Sequence, residues 1–155
     1  MQERFMAEAI AMARQGVALG HGGPFGAVVV RDGVVIGRGW NRVIADTDPT
    51  AHAEVNAIRD ASGRLGVWHL EECELYASCE PCPMCLSAAY WAHISKIYYA
   101  ASEADAAELG FDDRHIREEL QCSPIRRSLP MQQLMREEAL EVFAQWRASE
   151  LKRHY

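Results

Sequence analysis

The chain has no long hydrophobic run. Its most apolar stretch, Gly26 to Val30, falls far short of the roughly 18 residues of a membrane span. Its first residues, MQERFMAEAIAMARQG, carry neither the basic start nor the apolar block of a secretory signal. No membrane partner is expected, and the expected compartment is the cytoplasm. Positive charge is also in short supply, with 16 Lys+Arg against 22 Asp+Glu and a formal net charge of −6. Such a chain has no broad field with which to gather phosphate backbones, which argues against a nucleic-acid partner. Cysteines are few and odd in number, at five. In a reducing compartment that count argues against a disulfide framework, so their spacing needs another reason. Internal repeats and low-complexity segments are absent.

What remains is 155 residues, 49% hydrophobic and 25% charged, an ordinary globular composition. The length suits one domain, 1–155, able to bury about 70% of the surface its unfolded form exposes. A small molecule is the default partner. Residues 3–19 read as an amphipathic helix with Met6, Ile10, Ala13 and Val17 at three- and four-residue steps. Gly20 ends it, and the loop His21-Gly22-Gly23-Pro24 follows. Strands over 25–31 and 34–39 flank Asp32-Gly33, a pair suited to a tight hairpin turn. A loop over 40–50 leads to a helix over 51–62, stopped by Gly63. Then come a strand over 73–77, a helix over 82–93 opened by prolines, a strand over 96–101 and a short helix over 103–109. Residues 130–135 are a candidate last strand, and 137–151 a final helix expected to bury Leu140, Phe143 and Trp146. This order predicts an α/β fold, a mixed sheet with helices on both faces.

Two stretches concentrate reactive side chains: Thr50-Ala51-His52-Ala53-Glu54 and Glu80-Pro81-Cys82-Pro83-Met84-Cys85. Cys82 and Cys85 are three apart, so on a helix they share a face and reach one ion. A helix N-terminus favours the thiolate that zinc requires. His52 completes a three-ligand set and leaves one position for water, the arrangement of a catalytic site. Glu54, two residues on, leans over the same first turn and suits a general base. Thiolates make zinc a weaker Lewis acid than histidines do, so such a base is needed near neutral pH. Separately each piece has an ordinary reading. C-x-x-C can be a redox pair, Cys73, Cys79 and Cys122 buried small hydrophobes, His52 a satisfied histidine, and Glu54 a solvated helix residue. Together, H-x-E followed by P-C-x-x-C is the recognised signature of zinc-dependent base deaminases.

With Gly22-Gly23-Pro24-Phe25-Gly26-Ala27, Asp48 to Glu54 and Ser78 to Cys85, the chain resembles the cytidine deaminase superfamily. Within it, Tyr90-Trp91-Ala92, Gly110-Phe111-Asp112-Asp113 and the terminal Tyr155 resemble bacterial guanine deaminases. The resemblance implies a three-layer α/β/α sandwich around a five-stranded mixed sheet. It also implies a homodimer whose C-terminal segments, about 137–155, are exchanged. One zinc ion per chain would be held by His52, Cys82 and Cys85, with Glu54 as proton shuttle. Phe25, Asn41, Trp91, Asp113 and Tyr155 would line or close the pocket of a purine base, with Asp113 as a second proton relay. The implied reaction is hydrolysis of guanine to xanthine and ammonia. Each pocket residue has a plainer alternative. Phe25 and Trp91 could be core aromatics, Asn41 a turn residue, Asp113 a surface acid and Tyr155 a frayed end. The rival activity is adenosine deamination on transfer RNA, which Gly39-Trp40-Asn41-Arg42 would suit equally. A rival of another class is a non-catalytic zinc module with a fourth protein ligand such as Cys79, but that leaves Glu54 without a purpose.

Overall fold

The structure, a computed structural model, describes residues 2–154. Contacts divide the chain into two compact units, the first ending at Arg114 and the second beginning at His115. In the first unit, α1 (Gln2–Leu19) precedes the hairpin of β1 (Gly26–Arg31) and β2 (Val34–Trp40). The turn residues Asp32 and Gly33 take φ of 52° and 74°, as the sequence predicts for this pair. After α2 (Val43–Asp46) and α3 (Ala53–Leu65) come β3 (Glu74–Cys79), α4 (Pro83–Trp91), β4 (Lys96–Ala101) and α5 (Glu103–Glu108). The strand order is β2-β1-β3-β4; β1 runs antiparallel to both neighbours, and β3 and β4 are parallel.

Alternation along β1 sends its side chains to two cores. Ala27 and Val29 pack with Ala53, Ala57 and Ala61 of α3 and Ala89 of α4. Val28 and Val30 pack with Phe5 and Ala9 of α1 and with Tyr76. The layers are thus helix, sheet, helix. Small residues bring them unusually close. A Cβ on Gly39 would meet the Ala53 carbonyl oxygen at 2.3 Å, and one on Gly26 would meet the Ala9 carbonyl oxygen at 2.2 Å. This close seating sets the height of α3, and with it the height of the residues at its N-terminus.

Several expectations are corrected here. The sheet has four strands rather than five among the described residues. Residues 130–135 are irregular, because Pro130 offers no N–H, Met135 sits at φ 50°, and no strand pairs with them. The buried stripe of α1 is Phe5, Ala9, Ala13 and Gly16; of the expected face Ala13 is buried, Met6 and Ile10 are half-buried, and Val17 is 54% exposed. Gly16 faces Trp40 so closely that a Cβ would lie 2.7 Å from its ring. Gly63 does not stop α3. The helix runs to Leu65 and is capped by Gly66 at φ 68°, whose N–H bonds to the Ser62 carbonyl. The loop over 40–50 contains α2, held by an Arg42–Asp46 pair.

The second unit contains most of α6 (Arg114–Gln121), a helix the sequence did not suggest, one 3₁₀ turn (Pro124–Arg126) and α7 (Arg136–Ala148). Expected burial on the last helix is not found: Leu140 is half-buried, Phe143 is 65% exposed and Trp146 44%. Periodicity gave α7 an apolar face, but no described residue covers it fully. Among the described residues no helix is long and apolar enough to cross a membrane.

Candidate metal centre

Two helix starts build the site. His52 is the N-cap of α3, with extended backbone at φ −71° and ψ 158°, and Cys82 is the N-cap of α4, at φ −64° and ψ 167°. Cap residues direct their side chains over the helix end rather than along its flank. Glu54 follows in the first turn of α3 and Cys85 in the first turn of α4. Pro83 opens α4 at a position that needs no N–H donor. The helices pack against each other, so residues thirty positions apart meet.

His52 Nδ1 lies 3.6 Å from Cys82 Sγ and 3.4 Å from Cys85 Sγ. All three ligand atoms fall within 4.8 Å of one another. Zinc–sulfur and zinc–nitrogen bonds at tetrahedral angles give an N···S edge of about 3.5 Å. Two soft sulfurs and an imidazole are the donors zinc prefers. The trio therefore fits zinc, with Nδ1 as the facing nitrogen of His52. A thiol–thiolate hydrogen bond from Cys85 holds Cys82 well below the usual thiol range, and the His52 ring acts the same way. The hydrogen bond between the His52 ring and Cys82 pushes His52 up. Metal binding would displace these protons.

Glu54 is 7% exposed, a rare burial for a carboxylate. Burial pushes its carboxyl above the usual range, and the charge of Cys82 acts in the same direction. Its carboxyl interacts electrostatically with Cys82, Cys85 and His52, which sets it beside the trio. Cys79, by contrast, is pushed up to about 11 by burial and hydrogen-bonds through Sγ to the Ser102 carbonyl oxygen. It lies outside the cluster.

The other expected site residues are more dispersed. Asn41 is buried, and its Oδ1 accepts the N–H groups of Gly23 and Val43, each at 3.2 Å. The Asn41 N–H bonds to the Phe25 carbonyl oxygen, and the Arg42 N–H to that of Ala51, the residue before His52. Phe25 packs edge-on against Phe111 and lines a cavity of about 540 Å³ with Ser78, Cys79 and Ala106. Asp113 lines a different cavity, of about 340 Å³, with Glu103, Glu108 and Asp112. Trp91 is 68% exposed at the far end of α4, about 13 Å along the helix from Cys82. Tyr155 lies outside the described residues.

Two positioning features escaped the sequence reading. Asn56, one turn after His52, donates to the carbonyl oxygens of Trp40 and Ala51 and so pins the strand end to the loop before the trio. An asparagine inside a helix is a signal worth noticing, since it favours caps and turns unless its amide has a task. His21 accepts at Nδ1 from the Trp40 indole at 3.0 Å and the Arg42 guanidinium at 3.1 Å, joining the glycine loop to the same strand end.

Comparison with known proteins agrees with this geometry. Residues 1–101 match the model of the cytidine and deoxycytidylate deaminase zinc-binding region. The chain is 49% identical over 153 residues to the guanine deaminase of Bacillus subtilis, covering 99% of this chain and 98% of that one. The X-ray structure of that enzyme superposes with a TM-score of 0.95, covering 100% of this chain and 99% of the other at 48% identity. A tRNA-specific adenosine deaminase of Haemophilus influenzae is 36% identical over 127 residues, 78% of this chain and 73% of that one. Signature, paired helix caps and whole-chain similarity coincide: the chain belongs to the cytidine and deoxycytidylate deaminase family of zinc-binding proteins.

Proposed function

We propose that the protein hydrolyses guanine to xanthine and ammonia. The observation that carries this reading is the buried Glu54 carboxyl tied to the His52–Cys82–Cys85 cluster. The substrate follows from similarity to a guanine deaminase across nearly the whole chain, stronger than that to the transfer-RNA enzyme. His52 through Nδ1, Cys82 and Cys85 would hold one zinc ion. When bound, zinc activates a water molecule as nucleophile at neutral pH and steadies the charge that develops as it attacks. Glu54 takes a proton from the attacking water onto a carboxylate oxygen. It then delivers that proton to the ring nitrogen beside the carbon that bears the amine, and later passes the remaining proton of the added hydroxyl to the departing amine. Its burial excludes bulk water, so the proton stays on the reaction path. Phe25 and Asn41 form one wall of the base pocket.

The finer pieces are part of the same proposal. Trp91, Asp113 and Tyr155 complete or close the pocket in a homodimer, with segments about 137–155 exchanged between copies. The exposed Phe143 and Trp146 on α7 support an assembly that covers them. The cytoplasm, where thiols stay reduced, suits the two ligand cysteines. One experiment tests the core of the reading: ammonia release from guanine, adenine, cytosine, their nucleosides and a transfer-RNA hairpin, by wild type and by Glu54→Gln. Wild type should act on guanine alone. Glu54→Gln should keep one zinc per chain and lose about 10²- to 10⁴-fold in kcat. Activity on the hairpin with guanine inert, or a fully active variant, would overturn it.

A further inference from the structure

Asn41 carries a donor and an acceptor, and in principle it could read either kind of group on a base. The structure removes half of that choice. Two backbone N–H groups, of Gly23 and Val43, point at one atom of its amide, which must therefore be the oxygen. The nitrogen donates to no described residue, although the side chain is only 5% exposed. No fully buried side-chain nitrogen or oxygen among the described residues lacks a partner, so this nitrogen keeps an opening to solvent. A nearly buried amide thus presents only its two N–H donors outward.

What allows this pose is the residue opposite. A Cβ on Gly22 would stand 2.1 Å from Asn41 Oδ1 and 3.1 Å from its amide carbon. No side chain is compatible with the amide as it stands. The loop itself is anchored on both sides: the His21 carbonyl oxygen accepts the N–H groups of Ile44 and Ala45, and the His21 ring meets Trp40 and Arg42. The loop cannot easily retreat from an added methyl group, so the amide must turn.

We infer that Gly22 is a positioning residue of the substrate site: it leaves room for the Asn41 oxygen against Gly23 and Val43, and so commits that amide to contact the substrate solely as a hydrogen-bond donor. The inference rests on the proposed reading of Asn41 as part of a purine-base site. It implies that the base presents an acceptor to Asn41, and that a base offering an amino group there is rejected. The rejection arises because two donors would face each other with no acceptor between them.

Asn41→Asp separates this role from a structural one. Its carboxylate still accepts both backbone N–H groups, so the melting temperature should stay within a few degrees, but the outward donor is gone. KM for guanine should rise about 10- to 100-fold, with kcat changing less. Gly22→Ala should raise KM in the same direction by turning the amide. As competitive inhibitors, 7-deazaguanine, 3-deazaguanine and 6-thioguanine each remove or weaken one acceptor. The penalty of Asn41→Asp should collapse to less than threefold for the one that lacks the paired acceptor. A KM within twofold of wild type for Asn41→Asp or for a folded Gly22→Ala, or a penalty that persists with all three analogues, would overturn the inference. If Gly22→Ala fails to fold, the aspartate variant and the analogues still decide. Should wild type act on a different base, the guanine proposal fails by itself, and the same comparison with that base and its deaza analogues judges Gly22 and Asn41.

Discussion

Gly39→Ala should damage the metal centre from the opposite side of α3. Its Cβ would lie 2.3 Å from the Ala53 carbonyl oxygen, 2.4 Å from the Ala57 nitrogen and 2.9 Å from the Asn56 carbonyl carbon. All three obstacles are helix backbone, which cannot swing aside like the end of a side chain. Ordinary contact begins near 3.4 Å, so the helix must move by about 1 Å in an interior packed like a crystal. Overpacking of this kind costs about 1–3 kcal/mol. A domain of this size shifts its melting temperature by roughly 2–4 °C per kcal/mol, so a fall of about 2–12 °C is expected. The movement also carries His52 and Glu54, at the start of the same helix. A misplacement of that size costs about 10²-fold in turnover. Gly63→Ala is the matched control, because it lies in the same helix with nothing within 4 Å of its Cβ. It should stabilise by about 0.5–1 kcal/mol and leave activity unchanged. The assays are thermal unfolding, zinc content by elemental analysis, and ammonia release from guanine. A Gly39→Ala protein as stable and active as wild type would refute the claim that close seating of α3 on the sheet positions the site.

Other outcomes follow from the same contacts. Asn56→Ala removes donors from the Trp40 and Ala51 carbonyl oxygens and should cost about 1–3 kcal/mol in chemical denaturation, with weaker zinc retention. Stripping the metal with a chelator should lower the melting temperature, and added zinc should restore it at one ion per chain, because the ion binds the folded form. In the zinc-loaded protein at pH 8, Cys79 should resist alkylation, since burial pushes its thiol to about 11 and the reactive thiolate is a minor species. Because its folded value lies above the unfolded one, its contribution to stability is complete below about pH 9. That contribution is lost as the pH rises towards 11. Mass spectrometry of modified peptides and melts across that range check both statements.

The ligand cluster was legible because its chemistry is local on each side. Cys82 and Cys85 share one first turn, His52 and Glu54 another, and proline marks the start of α4. The hairpin was legible for the same reason, since Asp32-Gly33 encodes its own positive φ angles. Failures occur where a residue's state depends on a distant surface. Gly63 reads as a helix stop, yet nothing near it contests a helical φ, and the chain goes on to Gly66. Residues 130–135 can look like a strand, but a strand exists only where a neighbour completes its hydrogen bonds. The apolar face of α7 is written in Leu140, Phe143 and Trp146, and what should cover it is not.

Sequence alone therefore singled out the His52–Cys82–Cys85 cluster, the neighbouring Glu54 and the order of the principal α and β elements of the first unit, because residue type, spacing and turn chemistry act over a few positions. Only tertiary structure decided that His52 faces the sulfurs through Nδ1, that Glu54 is buried beside them, and that Asn41 shows donors alone. Those outcomes depend on how closely α3 seats on the glycines of β2, on its packing against α4 and on the room Gly22 leaves for Asn41, all of them contacts between segments far apart in the chain.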